Sequence, residues 1–132
     1  MIQRIQTIWL FLAAIATFLS IEFAFYVSPD GGSVSATDNN LIILILSAAL
    51  GTGILISVFM FKQRKLQIRL VILCALLECL VIFLYMRQTG QYVNGSYTLA
   101  AILHPIILVL LFLAIRGIYK DHKLIKDSNR LR

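Results

Sequence analysis

For 21 residues, 41–61, the chain carries no charged side chain. At about 1.5 Å per residue, a helix of that length crosses the roughly 30 Å hydrocarbon core of a bilayer. A helix on the surface of a soluble protein needs a polar outer face, and this stretch supplies none. Three more apolar runs of similar length occupy about residues 5–27, 68–86 and 96–115. In lipid every backbone amide must be satisfied within its own segment, so runs of this kind fold as helices. The expected fold is an all-α integral membrane protein. It is a four-transmembrane-helix bundle of two antiparallel hairpins, one membrane domain over residues 1–132, with a basic helical tail at 116–132. A composition of 60% hydrophobic and 14% charged residues agrees with this and not with a soluble domain. A signal peptide competes for the first run, because Arg4 precedes it. The apolar core is longer than the usual ~7–15 residues and no small-x-small cleavage site follows, so the run reads as a retained helix.

The polar connections decide orientation. Residues 62–69 hold Lys62, Arg64, Lys65 and Arg69, and six further basic residues follow from Arg116 onward. With Arg4 these make eleven of the twelve Lys and Arg residues on one side, leaving Arg87 alone on the other. The positive-inside rule then places both termini and the central turn in the cytoplasm. The same imbalance excludes a carrier that inserts in both orientations. The net charge of +6 does not point to nucleic acid, since no basic face interleaved with aromatics occurs. Lys62, Arg64, Lys65, Arg69, Lys120, Lys123, Arg130 and Arg132 are expected to form one basic cytoplasmic surface. Its expected partners are anionic headgroups of the bilayer and other integral membrane proteins. Ile115, Ile118, His122 and Ile125 keep a helical spacing, so the last helix is expected to extend into the tail, with a bend at Gly117. Outside the membrane, Ser28-Pro29-Asp30-Gly31-Gly32-Ser33 reads as a turn leading to Asn40, and 87–95 as a short polar loop.

Small residues mark where helices approach closely. Ala16, Ser20 and Ala24 repeat every four positions in the first run, and Ala49, Gly53 and Ser57 do so in the second, which predicts helix-packing stripes. Cys74 and Cys79 lie five apart in one helix, too far round it to bridge, and read as buried thiols without redox or metal chemistry. No metal-ligand spacing, phosphate-binding glycine loop or catalytic triad occurs, so neither a cofactor nor a catalytic residue is expected.

Ionisable residues inside the hydrocarbon are expensive and point to function or to pairing. Glu78 lies eight residues before Met86, and His104 lies eight after Ser96. Across an antiparallel hairpin both fall roughly 12 Å below the outer boundary, which predicts a Glu78–His104 hydrogen bond or ion pair. Pro105 is expected to kink the helix beside them. Two roles fit such a pair: a polar clasp that fixes helix register, or a site that exchanges a proton or holds a quinone headgroup.

Three stretches together resemble a family of small four-span membrane proteins of Gram-negative bacteria, a domain of unknown function. They are Met1-Ile2-Gln3-Arg4-Ile5-Gln6-Thr7, then Arg64-Lys65-Leu66-Gln67-Ile68-Arg69, and the ending Lys120-Asp121-His122-Lys123-Leu124-Ile125 with Asn129-Arg130-Leu131-Arg132. The likeness covers the whole chain and implies four helices in an inner membrane, with no activity to carry over. The ending departs from the family pattern at His122 and Asn129, where acidic residues are usual, so no charge-pairing role of the tail is implied. The function expected on these grounds is a non-catalytic accessory or stabilising subunit of an inner-membrane complex. The alternative is a parallel-oligomeric transporter, or a quinone- or proton-linked subunit using Glu78 and His104.

Overall fold

The computed structural model describes residues 2–35, 41–92 and 94–130, with side chains described from Ile5 onward. The side chain of Arg4, the loop residues 36–40 with Asp38, and Arg132 lie outside the described residues. Four long helices appear: α1 (Ile2–Glu22), α2 (Leu41–Phe59), α3 (Arg64–Thr89) and α4 (Leu103–Arg130). All four are long and apolar enough to cross a membrane. α1 packs on α2 and α4, and α3 packs on the same two helices, which closes a ring of neighbours.

The ring closes because each helix turns one seam inward at alternating three- and four-residue steps. On α1 the buried seam is Gln6, Leu10, Ala13, Thr17 and Ser20, and on α2 it is Ile43, Ser47, Leu50, Ile54 and Ser57. On α3 it is Gln67, Val71, Cys74, Glu78, Val81 and Tyr85. On α4 it is His104, Ile107, Leu111, Ala114, Ile118 and Asp121. A 3-4 alternation is the pattern of helices that pack a shallow angle apart with side chains interlocking. The outward faces are apolar as well: Leu41 is 70% exposed, Leu76 63% and Phe112 66%. A bundle apolar on both sides has lipid, not water, as its solvent.

Several boundaries differ from the sequence expectation, each for an identifiable reason. α1 stops at Glu22, not at 27, because residues 26–27 leave the helix to pair as a strand. Ala24 is therefore beyond the helix, and the stripe on α1 is Ala16 and Ser20 alone. α2 ends at Phe59 rather than 61, and α3 begins at Arg64 and runs to Thr89 rather than over 68–86. The basic stretch is thus mostly the first two turns of α3, and the turn proper is residues 60–63. The tail is not a separate element. α4 runs unbroken through Gly117 to Arg130, and its 28 residues extend roughly 42 Å, longer than the ~30 Å hydrocarbon core.

The start of the fourth span is the largest departure. In place of a helix from residue 96, Ser96–Tyr97 forms strand β3, residues 99–102 form a 3-10 turn, and α4 opens at Leu103. Pro105 consequently falls in the first helical turn and kinks nothing. The first N–H groups of a helix have no intrahelical acceptor, so a residue without an N–H removes an orphan donor where no water is available. β3 pairs antiparallel with β1 (Tyr26–Val27), which also pairs with β2 (Ser33–Val34), giving the order β2-β1-β3. This small sheet stitches the two outer loops together. The β1–β2 turn closes through the Gly31 N–H donating to Ser28 O (3.1 Å), with Gly31 at φ 85°, a left-handed conformation that favours glycine.

The stripe at Ala49, Gly53 and Ser57 does not form one buried face. Ala49 is exposed, Gly53 packs towards Cys74 of α3, and Gly51 packs under Phe18 of α1. α2 must meet neighbours on two sides, so its close contacts fall on two flanks of the helix, not on a single line. Cys79 also faces outward, and only Cys74 is buried.

At the end opposite the sheet, polar side chains lock the helices together. The Gln6 amide donates to Gly117 O on α4 (2.7 Å), and the Gln67 amide donates to Ser57 O on α2 (3.0 Å). A Cβ at Gly117 would lie 3.0 Å from Gln6 Cγ. Gly117→Ala is therefore expected to destabilise the protein when Gln6 is present and not in a Gln6→Ala background, with a coupling of about 1 kcal/mol. Unfolding in mixed detergent–SDS micelles reads it, and additive effects would mean that the two residues do not constrain each other.

Candidate functional site

Glu78 and His104 meet inside the bundle. Glu78 occupies the inward seam of α3, and His104 is the second residue of α4, carried inward by the strand and 3-10 turn before it. His104 Nδ1 lies 2.7 Å from Glu78 Oε1, and both side chains are almost wholly buried. At that distance the two groups form a hydrogen bond whose direction depends on the histidine tautomer. Each thereby gains a polar partner that the hydrocarbon interior would otherwise deny it. α3 extends eleven residues past Glu78, so the carboxylate lies roughly 16 Å from that helix's outer end.

The surroundings close the pair off. On the outer side Phe25, from the link between α1 and β1, stacks on Tyr85 with ring centroids 4.5 Å apart and an angle of 12°. The imidazole ring lies 5.4 Å from Phe25 and 5.1 Å from Tyr85. Tyr97 and Phe25 meet edge to face, and the hydroxyl of Thr98 donates to the carbonyls of Ala24 and Phe25, which fixes the link that carries Phe25. On the other side Leu50, Ile54, Val71, Leu111 and Ile118, each 0% exposed, fill the bundle down to the basic end. Thr17 and Ser20 are buried on α1, but their hydroxyls donate to carbonyls of their own helix, Ala13 O and Thr17 O. Among the described residues no three His, Cys, Asp or Glu side chains gather where a metal could be held.

The basic surface lies at the far end. Lys62, Lys65, Arg69, Lys120, Lys123 and Arg130 are exposed, while Arg64 is partly buried against Asp121, 3.3 Å away. Asp121, Gln6 and Gln67 are the site-forming residues that sequence reasoning passed over. All three stand at seam positions, three or four residues from an apolar core residue, so the 3-4 period itself was the available signal. The outer sheet left no such trace, because two-residue strands carry no period.

A profile described as a domain of unknown function, DUF4293, matches residues 2–131. The chain belongs to the DUF4293 family. The match spans the four helices and both polar ends, so the Glu78–His104 pair and the basic face lie within one DUF4293 unit. No curated protein and no solved structure matches this DUF4293 chain.

Proposed function

We propose that this protein is a non-catalytic accessory or stabilising subunit of a bacterial inner-membrane complex, docking through its outward helix faces and its basic cytoplasmic surface. The observation that supports this reading most is the closure of the interior. Glu78 and His104 satisfy each other, Phe25 and Tyr85 cover them, and fully buried aliphatic residues separate them from the basic end. A polar pair enclosed in this way acts as a clasp that sets the register of α3 against α4. What remains open to partners is the outside. Eleven of twelve Lys and Arg residues on one side support the cytoplasmic placement of both termini and of the α2–α3 turn.

Purification from native membranes in mild detergent tests the proposal. Other integral membrane proteins should be recovered in stoichiometric amounts, and Lys65→Gln with Arg69→Gln should lower that recovery several-fold without changing insertion. A chain recovered alone overturns it. A second reading, a proton-linked or quinone-linked subunit, is favoured by one observation: a carboxylate and an imidazole within hydrogen-bond distance inside the membrane. Under that reading Glu78→Gln abolishes a proton-coupled signal in reconstituted vesicles while leaving the bundle folded.

A further inference from the structure

The basic end carries more than a diffuse charge. A groove of about 700 Å³ opens there between the α2–α3 turn and α4. Lys62, Lys65 and His122 line it together with the apolar side chains of Phe61, Leu66 and Ile125. The apolar members are not covered by the bundle: Phe61 is 50% exposed, Leu66 46% and Ile125 42%. Among the described residues no carboxylate lines the groove. Arg64 also borders it, with its guanidinium drawn towards α4 by charge alone, 3.3 Å from a buried Asp121 Oδ2 that accepts no hydrogen bond among the described residues. Neither Lys62 nor Lys65 has a carboxylate partner among the described residues. The position is that of a bilayer surface. Lys65, the second residue of α3, stands 24 residues before that helix ends at Thr89, roughly 36 Å along its axis and so a little more than one hydrocarbon thickness from its opposite end.

We infer that this groove is a binding site for one molecule of an anionic phospholipid. The phosphodiester lies between Lys62, Lys65 and the anchored Arg64, and the upper part of an acyl chain runs over Phe61, Leu66 and Ile125. The two halves of the lining select for such an amphiphile. Unpaired lysines attract phosphate as point charges and repel the cationic headgroup of a zwitterionic lipid. Exposed apolar side chains beside them gain from burial under a chain, which a free phosphate cannot provide. A groove of this volume is in the range that accommodates a headgroup and the start of its chains. The site goes beyond the docking proposal and stands without it, since a chain that co-purifies with nothing would still hold the lipid.

Native mass spectrometry of the purified full-length chain, titrated with phosphatidylglycerol or phosphatidylcholine, tests this directly. One phosphatidylglycerol is expected to be retained, with phosphatidylcholine at least tenfold weaker. K62Q/K65Q should weaken phosphatidylglycerol roughly thirtyfold, from the usual contribution of two basic residues at a membrane surface. K123Q/K126Q removes the same charge from exposed tail positions outside the groove and should weaken it less than threefold. Ile125→Ser keeps the charge and should also weaken lipid retention, by about fivefold. Equal losses from the two lysine pairs would overturn the site in favour of diffuse attraction. So would displacement of the lipid by inorganic phosphate at equal concentration, which would make the groove a phosphate site that ignores the chain. Lys62 and Lys65 are exposed and unpaired, so an unchanged unfolding midpoint is expected for K62Q/K65Q, and Ile125→Ser supplies a second variant with no charge change.

Discussion

His104→Ala lowers the unfolding free energy of the bundle by roughly 3 kcal/mol, the largest single-residue effect expected in this protein. An interhelical hydrogen bond in a membrane contributes only about 0.6–2 kcal/mol. The additional loss arises because the variant leaves Glu78 at 1% exposure beneath the Phe25–Tyr85 stack, with no other hydrogen-bond partner among the described residues. An unpaired buried carboxylate costs more than the bond that was broken. Replacing both members separates these contributions. Glu78→Leu together with His104→Phe removes the polar groups while keeping comparable volume, and stability should return to within about 1 kcal/mol of the parent. Reversible unfolding in mixed micelles measures all three proteins. Equal instability of the single and double variants would sink the clasp, since packing alone would then account for the loss.

Gly95→Ala is the second large effect, a destabilisation of about 1–3 kcal/mol from overpacking. A Cβ at residue 95 would run into the ring of Tyr26. That ring is buried at 6% exposure and held by Tyr97 at 5.2 Å and Tyr92 at 6.4 Å, so it has nowhere to move. Displacing Tyr26 pulls on β1, and β1 is the central strand that carries the link bearing Phe25. Gly51→Ala provides the contrast. Its Cβ would approach the Phe18 ring tip at 2.9 Å, but Phe18 is 39% exposed and can swing into lipid. The expected cost there is under about 0.5 kcal/mol. If the two glycine variants behave alike, the outer sheet is not the rigid cover that its packing implies.

Much of this was legible in the residue order. Long uncharged runs have one solution in lipid, so the four helices followed from length and hydropathy alone. The Glu78–His104 contact was legible too, because an antiparallel hairpin brings together residues equally far from its closed end. The two side chains meet although α4 begins seven residues later than the apolar run, because the strand and 3-10 turn at 96–102 cover the missing depth. Helix ends were harder to read. Residues 23–27 and 99–102 are as apolar as the helices they adjoin, and hydropathy does not distinguish a spanning turn of α-helix from other backbone folded under the same surface. The second small-residue stripe departs from a single packing line at Ala49 for a related reason. Ala49 repeats in register with Gly53 and Ser57, yet lipid accepts a small apolar residue as readily as a neighbouring helix does.

Residue order is enough to make this chain a four-helix membrane protein and to place Glu78 and His104 in the hydrocarbon and its basic residues at one end. These follow from solvation, a property of each segment taken alone. Packing in three dimensions is what brings Phe25 over the pair, ties the α1–α2 and α3–α4 loops together through β1 and β3, and sets Asp121 against Arg64 beside a groove with apolar walls. Each of these joins residues dozens of positions apart through contacts with no period and no composition of their own. Their free energy exists only once the helices are packed.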